Sequence, residues 1–194
     1  VTFIAAERNG KELFGKPLIY VDDLLAQLKK TASETVGIVN SDIYLCIGPS
    51  HQEEIRRRTA DKTVLCLNRL NVENLGDPKG QIFVSGFDVF FFRREVIDLI
   101  LPSRFCLGTA WWDYYLPLVC LLNGYSLARF RDPVAYHIKH PLNWDYKQWT
   151  SNAEYFFDRL RELSRVPGES NPLTGLEAKL RESSEYYRRL ALKG

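Results

Sequence analysis

Apolar and polar positions fall into short alternating blocks. Val1-Thr2-Phe3-Ile4-Ala5-Ala6 is apolar and β-branched, which predicts a buried strand, and the polar, glycine-containing stretch 7–15 predicts a loop. Across 20–30, Val21, Leu24, Leu25 and Leu28 recur at helical spacing, so one face of an amphipathic helix packs inward. Val36-Gly37-Ile38-Val39 predicts a strand that stops at Asn40-Ser41-Asp42. A charged helix is expected over 52–58, and a strand over 63–67 that ends in Asn68-Arg69. A loop then leads to strands over 81–84 and 88–92, and a short helix over 94–101 is closed by Pro102. Asp113 heads a helix that continues over 115–122 and stops at Asn123-Gly124, with Pro117 fitting only near its first turn. Strands over 126–130 and 134–138 precede an aromatic-rich helix over 145–163. Residues 166–175 hold two Pro and two Gly and read as a linker to a polar, basic helix over 176–192.

Strands alternating with helices predict the α/β class: a mixed, mostly parallel sheet flanked by helices, with late strands too close together for helical crossovers. The expected domain spans residues 1–165, with 166–194 as a linker and helical appendage. Polar residues directly after a buried strand lie at its carboxyl end, where open α/β sheets place their ligand crevice. Asn40-Ser41-Asp42 is therefore the first place to look for chemistry.

Composition narrows the classes. At 194 residues, with 45% hydrophobic and 13% aromatic content, the chain can bury a core and is neither disordered nor low-complexity. Lys+Arg 26 against Asp+Glu 24 leaves a net charge of +2, too balanced for a general nucleic-acid binder. No apolar run approaches the ~18 residues of a bilayer span. Cys46, Cys66, Cys106 and Cys120 lie in apolar runs without C-x-x-C spacing, which predicts buried reduced thiols and a cytoplasmic setting. The chain contains no methionine, so Val1 is read as an internal residue.

Four constellations could carry chemistry, each with a plainer alternative. Asp42 with Asn40 offers oxygen ligands for a divalent cation and a sugar hydroxyl or phosphate; an Asx turn fits the same letters. His137-x-x-His140 could share a metal or touch a phosphate, or be two loop histidines satisfied by carbonyls. In Gly108-Thr109-Ala110-Trp111-Trp112-Asp113 the carboxylate suits a general base or an N-cap, and the indoles suit a sugar platform or a core. Ser85-Gly86-Phe87-Asp88 combines a close backbone approach with a hydroxyl acceptor, or is a turn before a strand.

Taken in order, Asn40-Ser41-Asp42, Asn68-Arg69, Gly-Phe-Asp-Val-Phe-Phe-Phe-Arg, Gly-x-x-x-Trp-Asp and Val-x-x-His-x-x-His resemble the motifs of GT-A-type nucleotide-sugar glycosyltransferases, in particular a bacterial branch. The match covers roughly residues 14–146. It implies a GT-A or Rossmann-like sheet and a transferase of polysaccharide biosynthesis. Asp42 would ligate Mn²⁺ or Mg²⁺ at the donor diphosphate, with Asn40 and Arg69 also on the donor. Asn40 replaces the usual first Asp of the family's DxD motif. Asp113 would be the base that deprotonates the acceptor hydroxyl in an inverting enzyme. His137 or His140 would complete the metal site, and Asp88, Trp111 and Trp112 would lie near the acceptor or transferred sugar. The family's opening strand–helix pair is absent or compressed before Phe14, which implies a fragment, a truncated relative that has lost nucleotide binding, or a chain in which 1–6 substitutes for the missing piece.

The implied partners are a nucleotide-sugar donor and a glycan or other hydroxyl acceptor. The competing reading is a catalytically inactive module of the same type that binds glycan or a protein. Aromatic Tyr155, Phe156 and Phe157 with basic Arg159, Arg161 and Arg165 suggest an oligomer or membrane-surface contact, for which a solvated helix face is the alternative.

Overall fold

The structure is a computed structural model that describes residues 2–84, 86–140, 145–163 and 182, with backbone alone for 77, 78 and 146. The expected linker and final helix, and the boundary between residues 165 and 166, lie outside the described residues. The chain divides into two compact units, 1–108 with 112–141 and 109–111 with 142–194.

The first unit holds two four-stranded sheets. In one, β1 (Thr35–Val39), β6 (Val89–Arg93), β3 (Thr63–Leu67) and β7 (Ser126–Arg129) lie in that order. β6 runs antiparallel to both neighbours, and β3 runs parallel to β7. In the other the order is β2 (Tyr44–Leu45), β8 (Ala135–Ile138), β4 (Leu70–Asn74) and β5 (Asp77–Ile82). Here β8 pairs antiparallel with β2 and parallel with β4, and β4 with β5 form a hairpin.

The mostly parallel, Rossmann-like sheet expected from the sequence is therefore corrected to two mixed, mostly antiparallel sheets. The reason is physical. Central strand β6, Val-Phe-Phe-Phe-Arg, is buried along four of its five residues, and a strand covered on both faces reads as one apolar run whichever way it points. Phe91 packs with Ile55, Leu65, Leu67 and Val89 on one face, whereas Phe90 meets Trp112 edge-on, ring centroids 5.5 Å apart. Ile55 belongs to α3 (Pro49–Thr59) and Trp112 opens α4 (Trp112–Leu122), so a helix contributes to the packing of β6 on each face.

Helices α1 (Lys11–Phe14) and α2 (Val21–Lys29) precede the sheets, and a 3₁₀ helix over Arg94–Leu99 follows β6. Residues 2–6 form no strand and are exposed; β-branched composition alone does not make a strand without a ladder to join. Pro117 lies inside α4, past the first turn where it was expected. Its missing N–H denies the Asp113 carbonyl the usual i+4 hydrogen bond. Cys66, Cys106 and Cys120 are buried and Cys46 is exposed, which corrects the expectation for that thiol; none of the four is in a disulfide. Burial pushes the three enclosed thiols up to about 12.

The second unit contains α5 (Tyr146–Leu163), whose Phe156, Phe157 and Leu160 are buried. Among the described residues no helix is long and apolar enough to cross a membrane.

Candidate functional site

Strand direction creates the site. Because β6 runs against both neighbours, its first residue, Val89, pairs with the last residues of β1 and β3, Val39 and Leu67. Asn40-Ser41-Asp42, Asn68-Arg69 and Gly86-Phe87-Asp88 therefore leave one end of the sheet side by side. The Asn40 N–H donates to the Asp88 carbonyl at 2.8 Å, and the Asp88 N–H to the Leu67 carbonyl at 3.2 Å.

Asp88 is only 4% exposed. Arg69 Nη1 donates to its Oδ1 at 2.9 Å and Asn40 Nδ2 at 3.4 Å. Burial raises the Asp88 carboxyl above the ordinary range, with the Arg69 charge acting in the opposite direction. Asp88 Oδ2 is buried without a hydrogen-bond partner among the described residues, and so is Asn68 Oδ1. Asn68 is fixed by its other end, Nδ2 donating to the Gly86 carbonyl at 2.8 Å. Two buried acceptors without donors are costly in a folded chain.

Asp113, in the first turn of α4, joins this cluster. Its Oδ2 accepts the Phe87 N–H at 3.2 Å. Gly86 permits that approach twice over: its φ of +135° is open to glycine, and a Cβ there would collide with Asp113 Oδ2. The residue as a whole keeps some solvent contact, but its carboxylate is enclosed. Burial pushes the group up to about 7; the Phe87 N–H opposes the rise and the Asp88 charge adds to it.

The second sheet supplies the imidazoles. Asn71 on β4 lies opposite His137 on β8, and β2 begins two residues after Asp42 and pairs with β8 at Tyr136. Asp42 is thereby carried to the His137 strand. His137 Nε2 lies 3.3 Å from Asp42 Oδ2 and 3.2 Å from His140 Nε2, and His140 Nε2 lies 3.9 Å from the same Asp42 oxygen. Burial lowers the His137 pKa, Arg69 assists and Asp42 opposes, so the neutral ring is favoured. His140 and Asp42 remain open, with 55% and 40% of their side chains exposed.

These donor atoms, one carboxylate oxygen and two ring nitrogens, all lie within 4.8 Å of one another. Such a set can take a divalent cation, and its imidazoles favour a transition-metal ion over Mg²⁺, which prefers oxygen ligands in a strict octahedron. A contact of 3.2 Å between two ring nitrogens needs a proton or a cation between them.

Asn40, Asp42, Arg69, Asp88, Asp113, His137 and His140 thus gather within one unit. Asn40 faces Asp88, and its Oδ1 accepts the Ser41 N–H at 3.1 Å, the local turn its letters allowed. Arg69 is committed to Asp88, to Asn71 Oδ1 at 3.0 Å, and to the Phe83 ring, 4.2 Å below its guanidinium. The two indoles are placed among rings. Trp112 is 3% exposed beside Phe90. Trp111, with a φ of +79°, is buried in the second unit against Trp149, Phe156 and Phe157.

Asn71, which is not among the residues the sequence motifs single out, accepts from Arg69 and meets His137 Nδ1 at 3.0 Å. Its signal was present: Asn74-Leu75-Gly76-Asp77 is a two-residue hairpin turn, and recognising it puts Asn71 on a strand with Arg69 just before it. Comparison of the chain with protein-family models, curated proteins and solved structures finds no match.

Proposed function

We propose that the chain is a divalent-metal-dependent glycosyltransferase domain that moves a sugar from a nucleoside-diphosphate donor to a hydroxyl of a glycan or similar acceptor. The observation that carries this reading is the convergence of Asp42, His137 and His140 in the unit that also encloses Asp113, a carboxylate pushed up to about 7. Asp42, His137 and His140 hold the metal, for which Mn²⁺ suits the imidazoles better than Mg²⁺. The ion supplies positive charge for the departing diphosphate.

Asp113 takes the proton of the acceptor hydroxyl while that oxygen bonds the anomeric carbon and the diphosphate leaves with the electron pair of its C–O bond. A base that titrates near neutrality is matched to this task. The Arg69 charge beside Asp88 favours the ionised form of that carboxylate at the same sheet end. Four cysteines outside any disulfide agree with a cytoplasmic domain supplied with nucleotide sugars.

The test is a thermal-shift series with nucleoside diphosphates, with and without Mn²⁺. A diphosphate at 100 times its Kd adds about 2.7 kcal/mol, a rise of roughly 5–10 °C for a chain of this size. The reading expects that rise only with the metal, and absence of any metal-dependent shift counts against it. One observation favours a second reading, a catalytically inactive sugar-binding module: Asp113 Oδ2 is already engaged by the Phe87 N–H. Oligosaccharide binding without diphosphate binding would select it.

A further inference from the structure

We propose that Arg69 and Asn71 are positioning residues that lock His137 as the Nδ1–H tautomer, so that the Nε2 lone pair faces Asp42 and His140. Arg69 Nε can only donate, and it lies 3.0 Å from the Asn71 side-chain atom Oδ1, which must therefore be the oxygen of that amide. The same oxygen lies 3.0 Å from His137 Nδ1. It has no hydrogen to give, so the ring nitrogen donates. In a neutral imidazole the remaining nitrogen carries the lone pair, and that nitrogen is the one 3.3 Å from Asp42 and 3.2 Å from His140.

Backbone geometry holds the arrangement. Arg69 lies immediately before β4 and its carbonyl takes the Phe83 N–H at 2.9 Å, while parallel pairing sets Asn71, within β4, directly opposite His137. Arg69 cannot swing away, because Asp88 holds its Nη1 at 2.9 Å and its plane lies over Phe83. The opposite tautomer would press the Nδ1 lone pair against the Asn71 oxygen. Asp88, Arg69, Asn71 and His137 thus form a continuous chain from the buried carboxylate to the imidazole pair. Fixing a ring by hydrogen bonding its second nitrogen is how proteins orient histidine ligands.

The consequence for metal affinity rests on the glycosyltransferase reading, whereas the tautomer does not. Long-range ¹H–¹⁵N spectra of the metal-free protein at pH about 8, above the ordinary imidazole range, read it directly. The chain has three histidines, and His51 is an internal contrast, since its Nδ1 accepts the Gly48 N–H at 3.0 Å and its proton must sit on Nε2. His137 is expected to carry its proton on Nδ1. Asn71→Leu should abolish that preference and weaken Mn²⁺ binding about 10–100-fold by calorimetry, while Asn71→Asp, which still accepts from both neighbours, keeps both.

An Nε2–H form of His137 in the unaltered protein overturns the inference, as does Asn71→Leu with an unchanged tautomer. Should that variant fail to fold, the unaltered protein and Asn71→Asp decide. An Nδ1–H tautomer in a protein that binds no Mn²⁺ supports the positioning role and defeats the metal-dependent function.

Discussion

Two groups of ionisable side chains lie in one unit, and they are held in opposite ways. Asp88, Arg69 and Asp113 are enclosed at the end of the first sheet, with Asp88 and Arg69 joined by a buried ion pair and Asp113 clamped by the Gly86-Phe87 backbone. Asp42, His137 and His140 hang from the second sheet with two of the three side chains open. In the enclosed group the protein dictates protonation and bears the desolvation. In the open group Asp42 and His140 face solvent, and only His137 is enclosed. The proposed function uses that contrast: the enclosed carboxylate, raised towards neutrality, serves as the base, and the open donor set serves as the cation site.

The sharpest way to break this contrast is Asp113→Asn. It should lower sugar transfer by about 10²–10⁴-fold, read as initial rate at saturating donor, yet make the protein more stable at neutral and alkaline pH. The folded state holds the Asp113 proton up to about 7 against an ordinary value of 3.8, so it binds more protons than the unfolded chain between those limits. The Asp113 contribution to stability is therefore greatest below pH about 4 and is lost as pH rises through about 7. Melting curves should show Asp113→Asn above the parent at pH 8 and level with it at pH 4.

Arg69→Leu leaves Asp88 charged and unpaired in the interior and should cost about 3–5 kcal/mol in urea unfolding. Adding Asp88→Asn should recover part of that loss, which separates a charge effect from a packing effect. Gly86→Ala meets both a backbone at φ +135° and the Asp113 carboxylate, and should cost about 1–3 kcal/mol by the same measurement.

The smallest effect belongs to the open group. His140→Ala should change metal-free stability by no more than about 0.5 kcal/mol, because the ring is half exposed, while removing the Mn²⁺-dependent shift. A large metal-free loss would place His140 with the enclosed group and erase the distinction.

Much of the site was legible in the sequence because its letters mark where buried strands end. Val39 followed by Asn40-Ser41-Asp42, and Leu67 followed by Asn68-Arg69, are abrupt changes from apolar to polar, and both fall at the sheet end that gathers the cluster. His137-x-x-His140 was equally readable, as two of the three histidines in the chain. Strand direction was not legible, because burial on both faces makes β6 apolar at Val89, Phe90, Phe91 and Phe92 whichever way it runs. The β4–β5 hairpin was hidden by polar Asn71, Glu73 and Asn74, typical of a half-solvated strand, and Asn71 was hidden with it. Trp111 and Trp112 show the remaining gap. Adjacent indoles suggest one platform, but a positive φ at Trp111 turns the backbone between them, and nothing in the residue type announces that conformation.

The most direct measurement is turnover of a panel of nucleotide sugars by the protein in Mn²⁺, in EDTA, and with Asp42→Ala. The account predicts release of nucleoside diphosphate from at least one donor in Mn²⁺ and its loss under both other conditions. Donor turnover that persists in EDTA and in Asp42→Ala would contradict it.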